Sequence, residues 1–388
     1  MNRLLCSLLI AAALHESTFA ATADRWWPAT TDAALQAAGD NRAELEKALT
    51  GVPVEQRESI QFLIENMPPV DLKSMNADFL IAHVAQAHQD LASAPWGKSL
   101  PKDVFLNDVL PYASLNEPRD GGRAKLREIA APLVKDCQTP GEAAQVLNRK
   151  IFGIVKVKYS TQRKKPDQSA LESMESGVAT CSGLSILLVD ACRSVAVPAR
   201  VVGTPMWTNM RGNHTWVEVW DKGWHFAGAA EPDGKGLDHG WFVGDAAKAD
   251  DSKPEHRIYA SSFKKTGLSF PLVWDLDLDW VPAVNVTERY TGATKTAEGK
   301  VRLLVRVLDR VGGKRVPAKV TVTDASDPTQ TLNGTSHDES ADLNNLLPFQ
   351  VTPKRTYKIE ATLEDKTAST EVTTTEQAEQ VTTLNLEK

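Results

Sequence analysis

Apolar residues recur at every third or fourth position over residues 32–49, 54–67, 71–92, 123–135 and 141–152. That period predicts helices with one face turned to a core. Pro68, Pro69, Pro95, Pro101 and Pro118 fall between the stretches and break them. At Val155 the period changes: Val155, Val157 and Tyr159 alternate with Lys156 and Lys158, as in a half-buried strand. A polar loop follows to Gly177. A helix is then predicted from Cys181 to about Val195, with Leu184, Leu187, Leu188, Ala191 and Val195 facing inward and Pro198 preventing continuation. Residues 199–202, 214–220 and 224–226 read as successive strands, the last two joined by the tight turn Asp221-Lys222-Gly223. This is an α+β pattern. From Pro282 on the helical period is gone. Alternating stretches at 301–307, 318–322, 357–361 and 381–386, separated by turn residues, predict a small β-sandwich.

The chain of 388 residues thus divides into a signal peptide (1–20), a helical N-terminal region (21–139), an α+β domain (140–290) and a β-sandwich (291–388), with the last boundary in the TGATKTAEGK linker. The leader reading rests on Arg3, an apolar run from Leu4 to Leu14 too short to span a bilayer, and small residues at Thr18 and Ala20. It implies a secreted or periplasmic protein. No later stretch is apolar and long enough to cross a membrane. A net charge of −6 argues against a nucleic-acid partner. Cys6 lies in the leader, which leaves Cys137, Cys181 and Cys192. An odd count leaves at least one thiol unpaired within the chain. Cys192 reads as a packed helix residue, and a Cys137–Cys192 bridge is compatible with the count.

Cys181 stands at a helix start, where unsatisfied N–H groups and the helix dipole favour negative charge. His214 opens a strand just after the turn residues Gly212 and Asn213, so its ring is expected at the strand's mouth. A thiol beside an imidazole is the core of cysteine-type acyl transfer. A third, acidic group should set the imidazole tautomer. Glu231, which closes the next strand in FAGAAEPDG, is the first choice and Asp233 the second. The backbone N–H of Cys181 supplies one oxyanion donor. Gln168 and Tyr159 are candidates for the other, and Trp207 for a cleft wall. The acidic groups Asp275, Asp277 and Asp279, and His337, Asp338, Glu339 and Asp342, read as plain solvated surface. The sequence calls for no cofactor and no metal.

GVATCSGLSILLVDACRSVAVPARVVG, GNHTWVEVW and GWHF running into EPD together resemble the transglutaminase-like superfamily, whose fold is similar to that of papain-type cysteine peptidases. The resemblance spans about residues 140–245 and makes 140–290 the catalytic domain. It implies a cysteine helix packed on an antiparallel sheet, Cys181 as nucleophile and His214 as general base and acid. The departure is at the third position, where Glu231-Pro232 stands in place of the usual Asp-Pro. The sandwich resembles carboxypeptidase regulatory-like or immunoglobulin-like domains. The expected function is an exported cysteine enzyme acting on protein or peptide amide bonds, cell-wall peptides included, through a thioester, with water (peptidase or amidase) or an amine (transglutaminase) as acceptor. The alternative is a non-catalytic surface or binding protein on the same fold. A zinc site built from Cys181, His214, His225 and His239 is a third reading, without the close paired ligand spacing such sites show.

Overall fold

The computed structural model describes residues 25–291, 300–376 and 379–387. The leader, Cys6 and most of the 291–300 linker lie outside the described residues. Among those described, no helix is long and apolar enough to cross a membrane.

Helices Ala29–Ala37, Arg42–Gly51, Arg57–Asn66 and Ala77–Ser93 enclose a core of their own around Leu35, Leu45, Leu49, Ile60, Leu63 and Leu80. The longest begins where Asn76 accepts a hydrogen bond from the Phe79 N–H at 2.8 Å, which satisfies one of the orphan donors of a first turn. Trp96 Nε1 donates to the Ala196 carbonyl at 2.7 Å and ties this region to the segment after the cysteine helix.

The cysteine helix, Cys181–Arg193, is buried on nearly every side. It rests on an antiparallel six-stranded sheet. The strands are β1 (Ala199–Thr204), β2 (His214–Trp220), β3 (Trp224–Ala227), β4 (Tyr259–Ser261), β5 (Leu268–Ser269) and β6 (Pro282–Asn285), in the order β3-β2-β1-β4-β6-β5. Leu184, Leu187 and Leu188 meet Val201, Val217 and Val219 in one cluster. Each fully buried leucine contributes about 1.5–3 kcal/mol. The helix is held at its far end by Arg193, whose guanidinium donates to the carbonyls of Asp108, Ala199 and Ala113 at 2.9–3.1 Å. A cation there also complements the helix dipole.

The strand expected at 155–159 is shorter than the alternation suggests, because Val155 still belongs to the preceding helix. Helix Pro140–Val155 is capped by Thr139 and ends at Lys156, which takes the left-handed conformation (φ 59°). Only Lys158–Tyr159 is extended, in parallel pairing with Val178–Ala179. The apolar stripe of the preceding helix, with Leu147, Ile151 and Phe152 packed inward, carries the helix past the local alternation.

Strands β7 (Val301–Leu308), β8 (Lys319–Asp324), β9 (Asp327–Thr335), β10 (Leu347–Val351), β11 (Thr356–Leu363), β12 (Lys366–Thr373) and β13 (Glu379–Asn385) form two sheets. Their orders are β9-β8-β11-β12 and β10-β7-β13, with β13 parallel to β7. Leu303, Val305, Val320, Val322, Ile359 and Phe349 fill the space between.

A buried ionic cluster joins this sandwich to the α+β core. Asp245 accepts from Arg211 at 2.6 Å and from Arg302 of β7 at 3.0 Å. Glu379 of β13 contacts Arg211 at 3.0 Å and Arg302 at 3.1 Å, and accepts from Asn209 at 2.7 Å. Two carboxylates and two guanidiniums, each nearly sealed from water, interlock across the junction. Cys137, Cys181 and Cys192 are all free thiols, and Cys192 is fully buried. The Cys137–Cys192 bridge is therefore not formed.

Candidate active site

Cys181 is the first residue of its helix, following Thr180 in extended backbone. Its N–H therefore has no acceptor within the helix. Thr180 Oγ1 donates to the Pro166 carbonyl at 3.1 Å, which steadies the approach. Ser182 Oγ lies 3.1 Å from Thr215 Oγ1, joining the helix start to β2 one residue beyond His214. Gly203 faces Thr215 across the β1–β2 ladder. A side chain there would come within 2.8 Å of the His214 carbonyl, so a bare backbone is needed for the strand to pass this close.

The His214 ring is 1% exposed. Trp207, Trp216, Trp241 and Phe242 surround it, with ring centroids 6.2, 5.8, 4.6 and 5.2 Å away. A thiol sulfur from Cys181, a ring nitrogen of His214 and a carboxylate oxygen of Asp342 lie within 4.8 Å of one another. His214 Nδ1 is 3.5 Å from Asp342 Oδ2. That is an ion-pair distance, and neither ring nitrogen makes a well-formed hydrogen bond. Loose contacts of this kind are usual before substrate binds.

Asp342 comes from the sandwich, in the loop between β9 and β10, and is 3% exposed. This corrects the reading of the 337–342 loop as plain surface. Asp342 Oδ1 accepts from the Asn344 N–H at 2.9 Å, and its carbonyl accepts from Arg315 at 2.9 Å. Arg211 donates to the Asn344 carbonyl at 2.8 Å, and Asn344 Nδ2 donates to the Asn213 carbonyl at 3.1 Å. The Leu343 N–H donates to Tyr159 Oη at 3.1 Å. The residue next to His214 is thus bonded directly to the loop that supplies the carboxylate.

Burial opposes charge on the His214 ring, but the Asp342 carboxylate and the Cys181 sulfur outweigh it and hold the ring well above its ordinary pKa. Burial likewise works against the Asp342 charge, and His214 overrides it to hold that carboxyl below the usual range. The Asp342 contribution to stability is present above its unfolded pKa and lost as pH falls through the lower folded value. That of His214 is complete below its unfolded pKa and lost as pH rises through the higher folded value. The difference in melting temperature between wild type and Asp342→Asn should therefore be largest between about pH 4 and 6.5 and shrink on both sides. A difference that stays flat across scanning calorimetry runs from pH 3 to 9 would show that the pair is not ionised.

Glu231 does not occupy this position. Its Oε2 accepts from Trp241 Nε1 at 2.9 Å, and it is the Trp241 ring that lies against His214. Burial pushes the Glu231 carboxyl up to about 7, although the nearby His214 charge pulls it down. A carboxyl held that far above its usual range is a weaker partner for imidazolium than Asp342, whose carboxyl is held below it. Asp233 is exposed in a turn, accepting from the Lys235 N–H. Gln168 spends its amide on Ser176 Oγ at 2.9 Å and the Val178 carbonyl at 3.2 Å, so it is not aimed at the cysteine. Tyr159 fits better. Its hydroxyl accepts from Leu343, and after burial its strongest interactions include Asp342 and Cys181. Trp207 is stacked on Trp216, 2% exposed, behind the histidine and not along an open cleft. Of the four zinc donors foreseen, His225 instead pairs with Asp238 at 2.6 Å, and only Cys181 and His214 come together, with Asp342 as the third group. Thiolate, imidazole and carboxylate are zinc ligands by chemistry, and Cys181, His214 and Asp342 are the residues that would hold such an ion.

The sequence carried one clue to Asp342. Asp342-x-Asn344 is a turn motif in which a side chain bonds backbone two residues on, but nothing in it points to a histidine in another domain.

Residues 127–243 match the family described as the transglutaminase-like superfamily. No curated protein matches the chain significantly. Among solved structures, similarity is found to a candidate cysteine protease from Cytophaga hutchinsonii, at 21% identity over 39% of this chain and 50% of that one, TM-score 0.29. A red sea bream transglutaminase is similar at 11% identity over 72% of this chain and 65% of that one, TM-score 0.32. The chain thus spans half and under two thirds of the lengths of these two proteins. The matched segment holds both the cysteine helix and the histidine strand, so the similarity to the transglutaminase-like superfamily rests on this core.

Proposed function

We propose that the protein is a cysteine-dependent acyl-transfer enzyme acting on peptide or protein amide bonds. The convergence of Cys181, His214 and Asp342 from three separate elements carries this reading. The Cys181 thiolate attacks the amide carbonyl, and the oxyanion is met by the Cys181 N–H and the Tyr159 hydroxyl. His214 gives its proton to the departing amine, leaving a thioester on Sγ. The neutral ring then takes a proton from the acceptor. Water yields a carboxylic acid; a primary amine yields a new amide. Asp342 holds the ring and stabilises its charged form. The leader-like residues 1–20 would export the protein and bring cell-wall and other extracellular peptides within its reach.

Intact-mass spectrometry after brief iodoacetamide treatment tests the thiol. In protein lacking residues 1–20, and with them Cys6, one adduct is expected, on Cys181, because Cys137 and Cys192 are buried. The Cys181→Ala protein should take none, and His214→Ala should react more slowly at neutral pH. Equal labelling of wild type and His214→Ala would count against a working pair. A peptide library, with and without added primary amine, then reads the acceptor. Chelators should leave turnover unchanged, whereas added zinc should inhibit by tying up the three donors. Activity lost to EDTA and restored by zinc would instead favour the metal-site reading.

A further inference from the structure

A groove of about 440 Å³ opens beside the catalytic cysteine. Phe152, Val157, Leu184 and Ala229 form its apolar lining. Leu184 is one helical turn from Cys181, on the same face. Tyr159 and Glu231 also line it. Ser340, two residues from Asp342, reaches it from the sandwich. Lys156 and Lys158 line it as well, and both are exposed. Among the described residues neither ammonium meets a carboxylate, in a chain whose net charge is −6. Arg149 and Lys150, exposed on the last turns of the same helix, add to the positive potential.

The backbone adds a separate observation. Lys156 (φ 59°) and Ala230 (φ 63°), which both line the groove, take the left-handed conformation. Glycine is the residue that holds this conformation without steric cost, and a helix C-terminus is where it is most often found. A lysine there keeps a cation at the groove mouth in spite of the strain. Ala230 is held by Asn148, whose Oδ1 accepts its N–H at 2.9 Å while its Nδ2 donates to the Gly228 carbonyl at 2.8 Å. The wall is therefore set before any ligand arrives.

We propose that this groove is the subsite for an acidic substrate segment, one that lays an apolar side chain against Leu184 and Phe152 and a carboxylate between Lys156 and Lys158. The proposal rests on the acyl-transfer reading for its orientation toward Cys181. The part of the groove near Ser340 suits the carboxylate poorly, because the Asp342 carboxylate lies only two residues further along the chain. The stretch lined by the exposed Lys156 and Lys158 suits it well, and the lysines also raise the local concentration of anionic peptides.

Binding is measured by calorimetry on the full-length Cys181→Ala protein, so that no turnover intervenes. The probes are N-acetylated, C-amidated pentapeptides with a central Leu-Gln pair and Glu, Gln or Lys at either flank. Glu peptides should bind at least about tenfold more tightly than Lys peptides, with a preference that fades as salt is raised. Lys156→Gly combined with Lys158→Gln should abolish the preference. Lys156→Gly alone should raise the melting temperature by relieving the left-handed strain, yet weaken Glu-peptide binding, which separates a ligand role from a folding one. Equal affinity for all three series, no binding by any, or a preference that survives in the double variant would overturn the proposal. The iodoacetamide experiment is independent of these results. Acidic preference with an unreactive Cys181 would sink the enzyme reading and leave the groove, whereas a reactive Cys181 with no preference would do the reverse.

Discussion

Asp342→Asn should lower turnover of whatever amide substrate the wild-type protein accepts by on the order of 10³–10⁴-fold, as loss of the acid does in other triads. Glu231→Gln should cost less than about tenfold, or 1.4 kcal/mol. The contrast follows from position. Asp342 is 3.5 Å from His214 Nδ1, while the Glu231 carboxyl is hydrogen-bonded to Trp241, and glutamine can still accept from that indole. Asp342 is a positioning residue, so the rate should not be the only readout. Without its negative charge His214 loses the strongest influence that keeps the ring protonated, and burial then favours the neutral form. The limb of the pH–rate profile that reports the imidazole should move to lower pH in Asp342→Asn and stay in place in Glu231→Gln. If Glu231→Gln proved the crippling change and Asp342→Asn the mild one, the third role would return to the residue that the sequence favoured.

Glu218→Ala should destabilise the protein by roughly 3–5 kcal/mol, the usual cost of stripping one side from a buried ion pair. Glu218 is fully buried on β2. Its Oε2 accepts from Arg200 Nε at 2.9 Å and Nη2 at 2.7 Å. Its Oε1 accepts from Tyr290 at 2.9 Å and Arg289 at 2.5 Å. The Arg200 guanidinium, stacked 3.7 Å from the Trp224 ring centroid, would be left buried without a counter-ion. The damage should reach the active site. Tyr290 also accepts from Trp216 Nε1 at 2.9 Å, and Trp216 stacks on His214. A chemical denaturation series checks the first effect, and loss of near-ultraviolet dichroism from the tryptophan stack checks the second. A Glu218→Ala protein within 1 kcal/mol of wild type would show that the arginine finds water or another partner.

Much of the α+β core was legible because its determinants are local. The helix starting at Cys181 announces itself by apolar residues three and four apart. The strand at His214 does so by alternation, and Pro198 separates the two. Those same local rules failed where longer-range packing overrode them. Val155 and Val157 alternate with lysines, yet Val155 completes a helix whose stripe began fifteen residues earlier, at Pro140. In the sandwich, β7, β8, β11 and β13 were visible as apolar alternation. β9 and β12 were not, because Asp327–Thr335 and Lys366–Thr373 are largely polar and exposed. They are held by pairing with β8 and β11, not by burying a face of their own.

The sequence by itself determined the fold class, the cysteine helix, the histidine strand and hence the pairing of Cys181 with His214. These follow from patterns a few residues long and from the order of elements in one sheet. Only the tertiary structure decided which acid stands beside the imidazole. Asp342 lies in a loop with no periodicity, among neighbours that look like ordinary surface. It reaches His214 because Arg211, Asp245, Arg302 and Glu379 lock the sandwich onto the core. Such a contact joins residues far apart along the chain, and local propensity carries no record of it.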